Sequence, residues 1–422
     1  MSHTVLLYGA TGYTGRLIAA EGELTGMGPA KQGPYRMVLA GRDGPALAQL
    51  GRQHGMDHRV FHLDDPRELQ KGLTGVDVVI NAAGPFAATA KPLARAALIA
   101  GSHYVDINSE LDVYLNLDQL GRHAFHHKRA IVSGAGHSGA ASDLLLHVAL
   151  KELESRAAAG GDRPALQLGA VRIALARTSG LSRGTLETLL RCLREQVTIV
   201  RMGEIENSKG EKRRGLVLWH EPVGKLERMF VFAEEGNLDP CEPASRIESR
   251  VGTAANLVDT LAARLTVERL GVKVRRIESY LEAGALERLA YQAGAFVAPL
   301  AALPLVRQMA QLPVDLLPDG PISQELSSEP GNVLVDIEDP FQRRIVNWRW
   351  RTPNPYVFTA QVVVEVAKQV ARKKSIGWLT PAAVLNPSKA QLKKSAGYLR
   401  GSRLIERPAF VEQAARVAAK QA

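Results

Sequence analysis

YGATGYTGRL, residues Tyr8 to Leu17, follows the apolar run Val5-Leu6-Leu7-Tyr8 and spaces Gly9, Gly12 and Gly15 three residues apart. In a strand–loop–helix turn the first glycine permits a tight turn, the second lets backbone approach a pyrophosphate, and the third lets helix and strand pack closely. The helix N-terminus then aims its free N–H groups at the anion. Such a glycine triplet alone is a weak signal, and its context gives it weight: a buried strand at 4–8 precedes it and a helix from near Gly12 to about Leu24 follows. Gly9, Ala10, Thr11, Gly12, Tyr13, Thr14 and Gly15 are the first candidate cofactor contacts, with the hydroxyls of Thr11 and Thr14 able to add hydrogen bonds.

Working outward, the glycine and proline loop Gly26 to Pro34 leads to a second strand over Tyr35–Ala40. Helical and extended patterns then alternate: a helix at Pro45–His54, strand three at Arg59–Leu63, strand four at Val76–Asn81, and a helix at Ala90–Ala100. Strand five at His103–Ile107, a helix from Glu110 to His127 and strand six at Ala130–Ser133 complete the run. This alternation is the signature of a doubly wound parallel sheet with helices on both faces. Past residue 165 the pattern changes: strands are expected at Gln167–Ala176, Leu216–Trp219, Arg228–Phe232, Gly331–Asp336 and Ile345–Arg351, with a helix at Thr185–Arg201. The expected fold is α/β: a Rossmann parallel sheet over 1–135, a second α/β domain with a mixed sheet over 136–355, and C-terminal helices over 356–422. The helix at Val357–Lys373 is expected to return to the first domain, and the last 40 or so residues to form a peripheral helix.

The choice of dinucleotide turns on the end of strand two. An NAD site places an acidic residue there for the ribose 2′-OH, whereas this chain has Ala40-Gly41-Arg42. A guanidinium at that place pairs with a 2′-phosphate and can stack on adenine, so NADP(H) is expected. Asp43, one residue later, could still reach a hydroxyl, which leaves NAD open. Gly41, Arg42 and Asp43 are therefore candidate contacts, as are Asp64 for the adenine amino group and Ala82, Ala83, Gly84, Pro85 and Phe86 along ribose and nicotinamide.

The formal charge of +10 suits a solvated basic surface or an anionic partner, but no nucleic-acid motif accompanies it, so no nucleic-acid partner is expected. Two cysteines, Cys192 and Cys241, are too few for a disulfide framework or a cysteine-rich metal site. No paired ligands stand at helical spacing, and no metal is expected. No Tyr-x-x-x-Lys follows the sheet, so tyrosine-dependent short-chain chemistry is unsupported. With no secretory signal pattern, a cytoplasmic location is expected. The apolar stretch Ala290–Val306, broken by Pro299 and Pro304, reads as a buried helix pair or a pocket wall for an apolar substrate; a peripheral membrane contact is the alternative.

YGATGYTGRL, LAGRD, VINAAGPF and HYVDINSE, in this order, resemble the saccharopine dehydrogenase-like oxidoreductases, and most closely the trans-acting enoyl reductase branch. Ser133 to Asp143, Ser179 to Thr185, Pro355 to Ala360 with Glu365, and Leu379 to Ala383 extend the resemblance to about residue 385. One departure stands out: His137-Ser138-Gly139-Ala140 occupies the place where relatives tend to have Phe-Asp-Ser-Ile-Pro. The resemblance implies a Rossmann domain, a second α/β domain and an NADP(H)-dependent oxidoreductase. It also implies hydride transfer to an enoyl group of a lipid-, polyketide- or terpenoid-like small molecule. Reduction of C–N bonds in amino acid–keto acid conjugates is the alternative within the superfamily, and a non-catalytic cofactor-binding protein that docks on membranes is the alternative from another class. Self-association in the family makes a homodimer plausible.

For the proton that accompanies a hydride, the candidates lie beyond strands five and six, at the carboxyl edge of the sheet where ligands bind: Tyr104, Asp106, Glu110, His137, Ser142 and Asp143. His137 is the sole histidine in that glycine-rich loop and titrates near neutrality, although it can equally be a loop histidine bonded to backbone. Asp106 and Asp143 can instead fix helix N-termini, and Tyr104 can belong to the core.

Overall fold

β1 (His3–Tyr8) is buried on both faces: Val5 and Leu7 enter one core, Leu6 and Tyr8 another. An uninterrupted apolar strand has that fate only in the middle of a covered parallel sheet. The computed structural model describes residues 2–28, 33–159, 166–176, 196–206, 211–222, 224–233, 247–284, 320–321, 325–326, 329–372 and 375–394. Around β1 lie β2 (Tyr35–Gly41), β3 (Asp57–Val60), β4 (Val78–Asn81), β5 (His103–Asp106) and β6 (Ala130–Val132). Their connecting helices are α1 (Tyr13–Leu24), α2 (Gly44–His54), α3 (Pro66–Gly72), α4 (Phe86–Ile99), α5 (Leu111–Asp118) and α6 (Gly121–His126). A long helix, α7 (Ser142–Ala159), leaves the domain.

The second sheet is built from β7 (Gln167–Leu175), β8 (Gln196–Glu206), β9 (Lys212–Pro222), β10 (Glu227–Ala233), β11 (Ile247–Ala254), β12 (Lys273–Glu282), β13 (Gly331–Glu338) and β14 (Arg344–Thr352). Its order is β10-β11-β12-β7-β13-β14, with the β8–β9 hairpin attached to β12. Only β12 and β7 run parallel; every other pairing is antiparallel, so the sheet is mixed. Helix α8 (Asp259–Arg269) packs on it.

The chain then returns. α9 (Pro355–Arg372) lies against α1, β4 and β5, and its run Val362, Val363, Val364 and Val366 is fully buried. β15 (Gly377–Leu379) joins the first sheet beside β6, completing the seven-stranded parallel order β15-β6-β5-β4-β1-β2-β3. α10 (Pro381–Leu385) and α11 (Lys389–Lys394) follow. One continuous core therefore runs from Val5 and Leu39 through α9 to Val171, Val335 and Trp348.

Several expectations shift. Residues 196–201 of the expected helix are strand: Val197 and Ile199 enter one core and Val200 another, a period of two that suits β-branched side chains. The rest of that span, with Ser179–Thr185, both cysteines, Ala290–Val306 and 395–422, lies outside the described residues. β3 ends at Val60, because Phe61 leaves the strand to pack beneath α3, where a side chain on Gly72 would strike its ring. The single helix expected over 110–127 is two, turning at Leu120 so that Gly121 can sit close to Trp378 of β15. Among the described residues no helix is long and apolar enough to cross a membrane, and no group of three or more acidic, histidine or cysteine side chains is placed to hold a metal.

Candidate dinucleotide groove

The carboxyl ends of β1, β2 and β4 open into a groove of about 460 Å3 lined by Tyr8, Gly9, Thr11, Gly12, Gly41, Arg42, Asp43, His62, Ala82, Ala83 and Gly84. The glycines of the opening motif differ in what they make possible. Gly9 has φ +84, and a Cβ on it would fall 2.6 Å from the Ala83 nitrogen. A Cβ on Gly15 would fall 2.1 Å from the Gly9 carbonyl oxygen, deep in the turn. A Cβ on Gly12 would meet nothing nearer than that oxygen at 3.4 Å. Protein packing thus demands glycine at 9 and 15 but not at 12, where a side chain would instead project over the mouth of the α1 N-terminus. That end of α1 has no side-chain cap and no acidic residue in its first turn, which leaves its N–H groups and positive dipole end available to an anion. The cradle fits a pyrophosphate.

Two neighbouring helix ends, those of α2 and α3, are closed. Asp43 caps α2 by accepting from the Ala46 N–H at 3.0 Å, and Asp65 caps α3 by accepting from Arg67 and Glu68. Arg42, by contrast, is exposed on the groove rim and makes no ion pair among the described residues. Its charge bears on the Tyr8 hydroxyl.

Of the residues singled out from the sequence, Gly9, Thr11, Gly12, Gly41, Arg42, Asp43, Ala82, Ala83 and Gly84 come together in the groove. The others do not line it. Ala10 is buried behind it. Tyr13 turns to the second domain, donating its hydroxyl to the Pro321 carbonyl at 2.8 Å and meeting Tyr356 edge-on. Asp64 lines an adjoining depression with His62, Asp65, Pro66, Arg67 and Glu68. Pro85 and Phe86 open α4. Two lining residues were missed, Tyr8 and His62. Tyr8 ends the β1 run and its position was legible; His62 follows a strand whose end was misjudged.

None of the six proton-carrier candidates lines this groove. Tyr104 is fully buried and its hydroxyl accepts from Asn81 Nδ2 at 3.0 Å; burial pushes its pKa well up. Asp106, also fully buried, accepts from Ser133 Oγ at 2.8 Å and from the Gly134 and Asn108 N–H groups, each at 3.0 Å. Burial pushes it up to about 6 against those bonds. Glu110 begins α5, bridged by backbone to Leu257 and bracketed by Asn108. Ser142 donates to the Gly139 carbonyl and to Asp259. Asp143 accepts from Thr266 Oγ1 and from the Ala382 N–H, so it caps α10 rather than facing the groove; burial pushes it up to about 6.

His137 opens a tight turn over 137–141 at the exit of β6. Its backbone N–H donates to Thr359 Oγ1 at 2.9 Å, and Nε2 lies 3.0 Å from Thr352 Oγ1. Thr352 donates that hydroxyl proton to the Pro353 carbonyl at 2.9 Å, so the ring donates from Nε2. Burial pushes its pKa down to about 4, so the ring is neutral near pH 7. Two residues the sequence did not flag set this arrangement. Gly331 leaves room for the pair, since a Cβ there would lie 2.3 Å from His137 Nε2. Asp259 of α8 accepts from Ser138 Oγ at 2.6 Å and the Gly139 N–H at 3.0 Å, anchoring the turn to the second domain.

Residues 5–159 match the family model described as the saccharopine dehydrogenase NADP binding domain. The trans-acting enoyl reductase of Mycobacterium leprae (strain TN) is 29% identical over 136 residues, 31% of this chain and 30% of that protein. That of Mycobacterium ulcerans (strain Agy99) is 30% identical over 155 residues, 34% of each. The chain thus matches about a third of the length of these curated relatives. Among solved structures, apo saccharopine dehydrogenase (L-Glu forming) from Saccharomyces cerevisiae superposes with a TM-score of 0.54 over 93% of this chain and 97% of that one, at 13% identity. Homospermidine synthase from Legionella pneumophila, in complex with NAD, gives 0.50 over 99% and 89%, at 10% identity. These structural likenesses establish the fold: a Rossmann sheet followed by a mixed-sheet domain. Residues 5–159 are thus similar to the saccharopine dehydrogenase NADP binding domain.

Proposed function

We propose that this protein is an NADP(H)-dependent oxidoreductase that delivers hydride to an enoyl or enone carbon of an apolar, lipid-, polyketide- or terpenoid-like substrate. The observation that carries the cofactor preference is Arg42, a guanidinium on the rim of the groove with no ion pair among the described residues, beside an Asp43 already engaged as a helix cap. The enoyl half rests on the likeness to trans-acting enoyl reductases over a third of the chain. When bound, the cofactor supplies the hydride. The chain's own residues orient it: the glycine turn and the α1 N-terminus would hold the pyrophosphate, Arg42 the 2′-phosphate, and the small side chains of Ala82 to Gly84 would let the dinucleotide lie on backbone. Residues 1–135 would serve as the cofactor domain, 136–355 as the substrate domain and 356–422 as the return. His137, neutral near pH 7 and donating from Nε2, offers Nδ1 as an acceptor, so it suits orienting a donor better than releasing a proton.

Titration with each cofactor tests the reading. NADPH is expected to bind at least about 10-fold more tightly than NADH, worth roughly 1.4 kcal/mol, and Arg42→Ala to erase most of that gap. Equal affinities in the native protein would refute the 2′-phosphate assignment. NADPH oxidation with enones supports the enoyl assignment. Turnover only with a keto acid plus an amine selects C–N reduction, and no turnover with salt-sensitive binding to anionic vesicles selects a non-catalytic protein.

A further inference from the structure

The wall of the groove beside the glycine turn is the loop after β4, and its shape is set by two side chains outside the groove's lining. Asn81, the last residue of β4, is fully buried; its Oδ1 accepts from the Ala83 N–H at 3.0 Å. Its Nδ2 donates to Thr89 Oγ1 at 3.3 Å and to the Tyr104 hydroxyl at 3.0 Å. Thr89, one turn into α4, donates its hydroxyl proton to the Ala83 carbonyl at 2.6 Å. Ala83 is therefore held at both of its backbone polar groups, and Thr89 and Asn81 are joined to each other. The same Ala83 backbone is what forbids a side chain at Gly9, so the clamp fixes how closely the loop after β4 packs on the glycine turn.

We infer that Thr89 and Asn81 are positioning residues for the dinucleotide: they act through the Ala83 backbone, holding the groove wall at the spacing the ligand needs. This rests on the cofactor reading above. Nothing in the motif VINAAGPF assigns Thr89 a part, because the residue lies beyond the motif and reaches back to it only once α4 has formed.

The test uses the full chain and isosteric substitutions. Thr89→Val keeps the β-branched shape and removes both the donor and the acceptor, while Thr89→Ser restores them. Thr89 is half-buried on α4, so the fold is expected to survive. The Thr89→Val protein is expected to bind NADPH about five- to ten-fold more weakly, the worth of roughly one neutral hydrogen bond, with Thr89→Ser close to native. Thermal midpoints of all three should agree within a degree or two, a comparison that separates positioning from loss of stability. If native protein binds NADPH and Thr89→Val binds it equally well, or Thr89→Ser fails to rescue, the clamp is overturned while the cofactor reading stands. If native protein binds neither NADPH nor 2′,5′-ADP, the cofactor reading itself falls.

Discussion

Replacing each of two glycines by alanine separates what the fold needs from what the ligand needs. At Gly12 the backbone is extended, φ −69 and ψ 165, a conformation open to any residue, and an added Cβ meets only the Gly9 oxygen at 3.4 Å. Alanine is a poorer N-cap than glycine by some tenths of a kcal/mol to about 1, whereas the loss of glycine's freedom in the unfolded chain returns about 0.4–1 kcal/mol. The two offset, and Gly12→Ala is expected to change stability by less than about 0.5 kcal/mol. At Gly15 a Cβ would lie 2.1 Å from the Gly9 oxygen and 2.9 Å from Ala10 backbone atoms. Neither neighbour is a flexible side chain, so the turn or α1 must move, at a cost of about 1–3 kcal/mol or more. The methyl at Gly12 would occupy the approach to the α1 N-terminus, and NADPH affinity is expected to fall at least about 10-fold, roughly 1.4 kcal/mol. Melting curves and cofactor titrations of both variants make the comparison. Native-like NADPH binding by Gly12→Ala, or a melting temperature for it as low as that of Gly15→Ala, would refute the reasoning.

Two further outcomes concern stability. His137 is neutral in the fold because burial holds its pKa at about 4, below the ordinary 6.5 it regains on unfolding. The unfolded chain therefore binds the extra proton between those values: the contribution is fully present above pH 6.5 and is lost as pH falls toward 4, by at most about 3 kcal/mol. Asp106 and Asp143, both pushed up to about 6, work in the opposite sense, losing stability as pH rises from 3.8 to 6. The difference between native and His137→Asn proteins isolates the histidine. That difference should shrink on acidification from pH 7 to 4.5 in chemical denaturation, and a pH-independent difference would show the ring is not held neutral. Asp259→Ala removes a buried carboxylate that accepts from Ser138, Gly139 and Ser142, and is expected to cost about 3–5 kcal/mol. A denaturation midpoint within error of the native value would mean the turn at 137–141 does not depend on α8.

The cofactor half of this molecule was largely legible because its signals are local. A buried parallel strand is apolar throughout, a pyrophosphate turn must shed its Cβ atoms, and Arg42 sits one residue past β2. What escaped is pairing over long chain separations. Gly377–Leu379 carries no pattern that says it will complete the first sheet beside residues 130–132, some 245 positions earlier. Gly331 opens an expected strand with nothing local to tie it to His137, and nothing near Asp259 in the sequence ties it to Ser138 and Gly139. Residues 196–201 were misread for a different reason: short apolar runs fit both periods, and packing against two cores decided for strand.

The carboxylates near the sheet's carboxyl edge serve as structural groups. Asp43 and Asp65 close helix N-termini, Asp106 gathers Ser133, Gly134 and Asn108, Asp143 caps α10, and Asp259 holds the turn at 137–141. Each satisfies backbone donors, and those held by Asp106, Asp143 and Asp259 would otherwise be buried unpaired. With Asp43 engaged in this way, Arg42 stands on the rim of the groove without an ion pair among the described residues, and the α1 terminus in the same groove is uncapped. A positive charge there attracts a phosphorylated ligand.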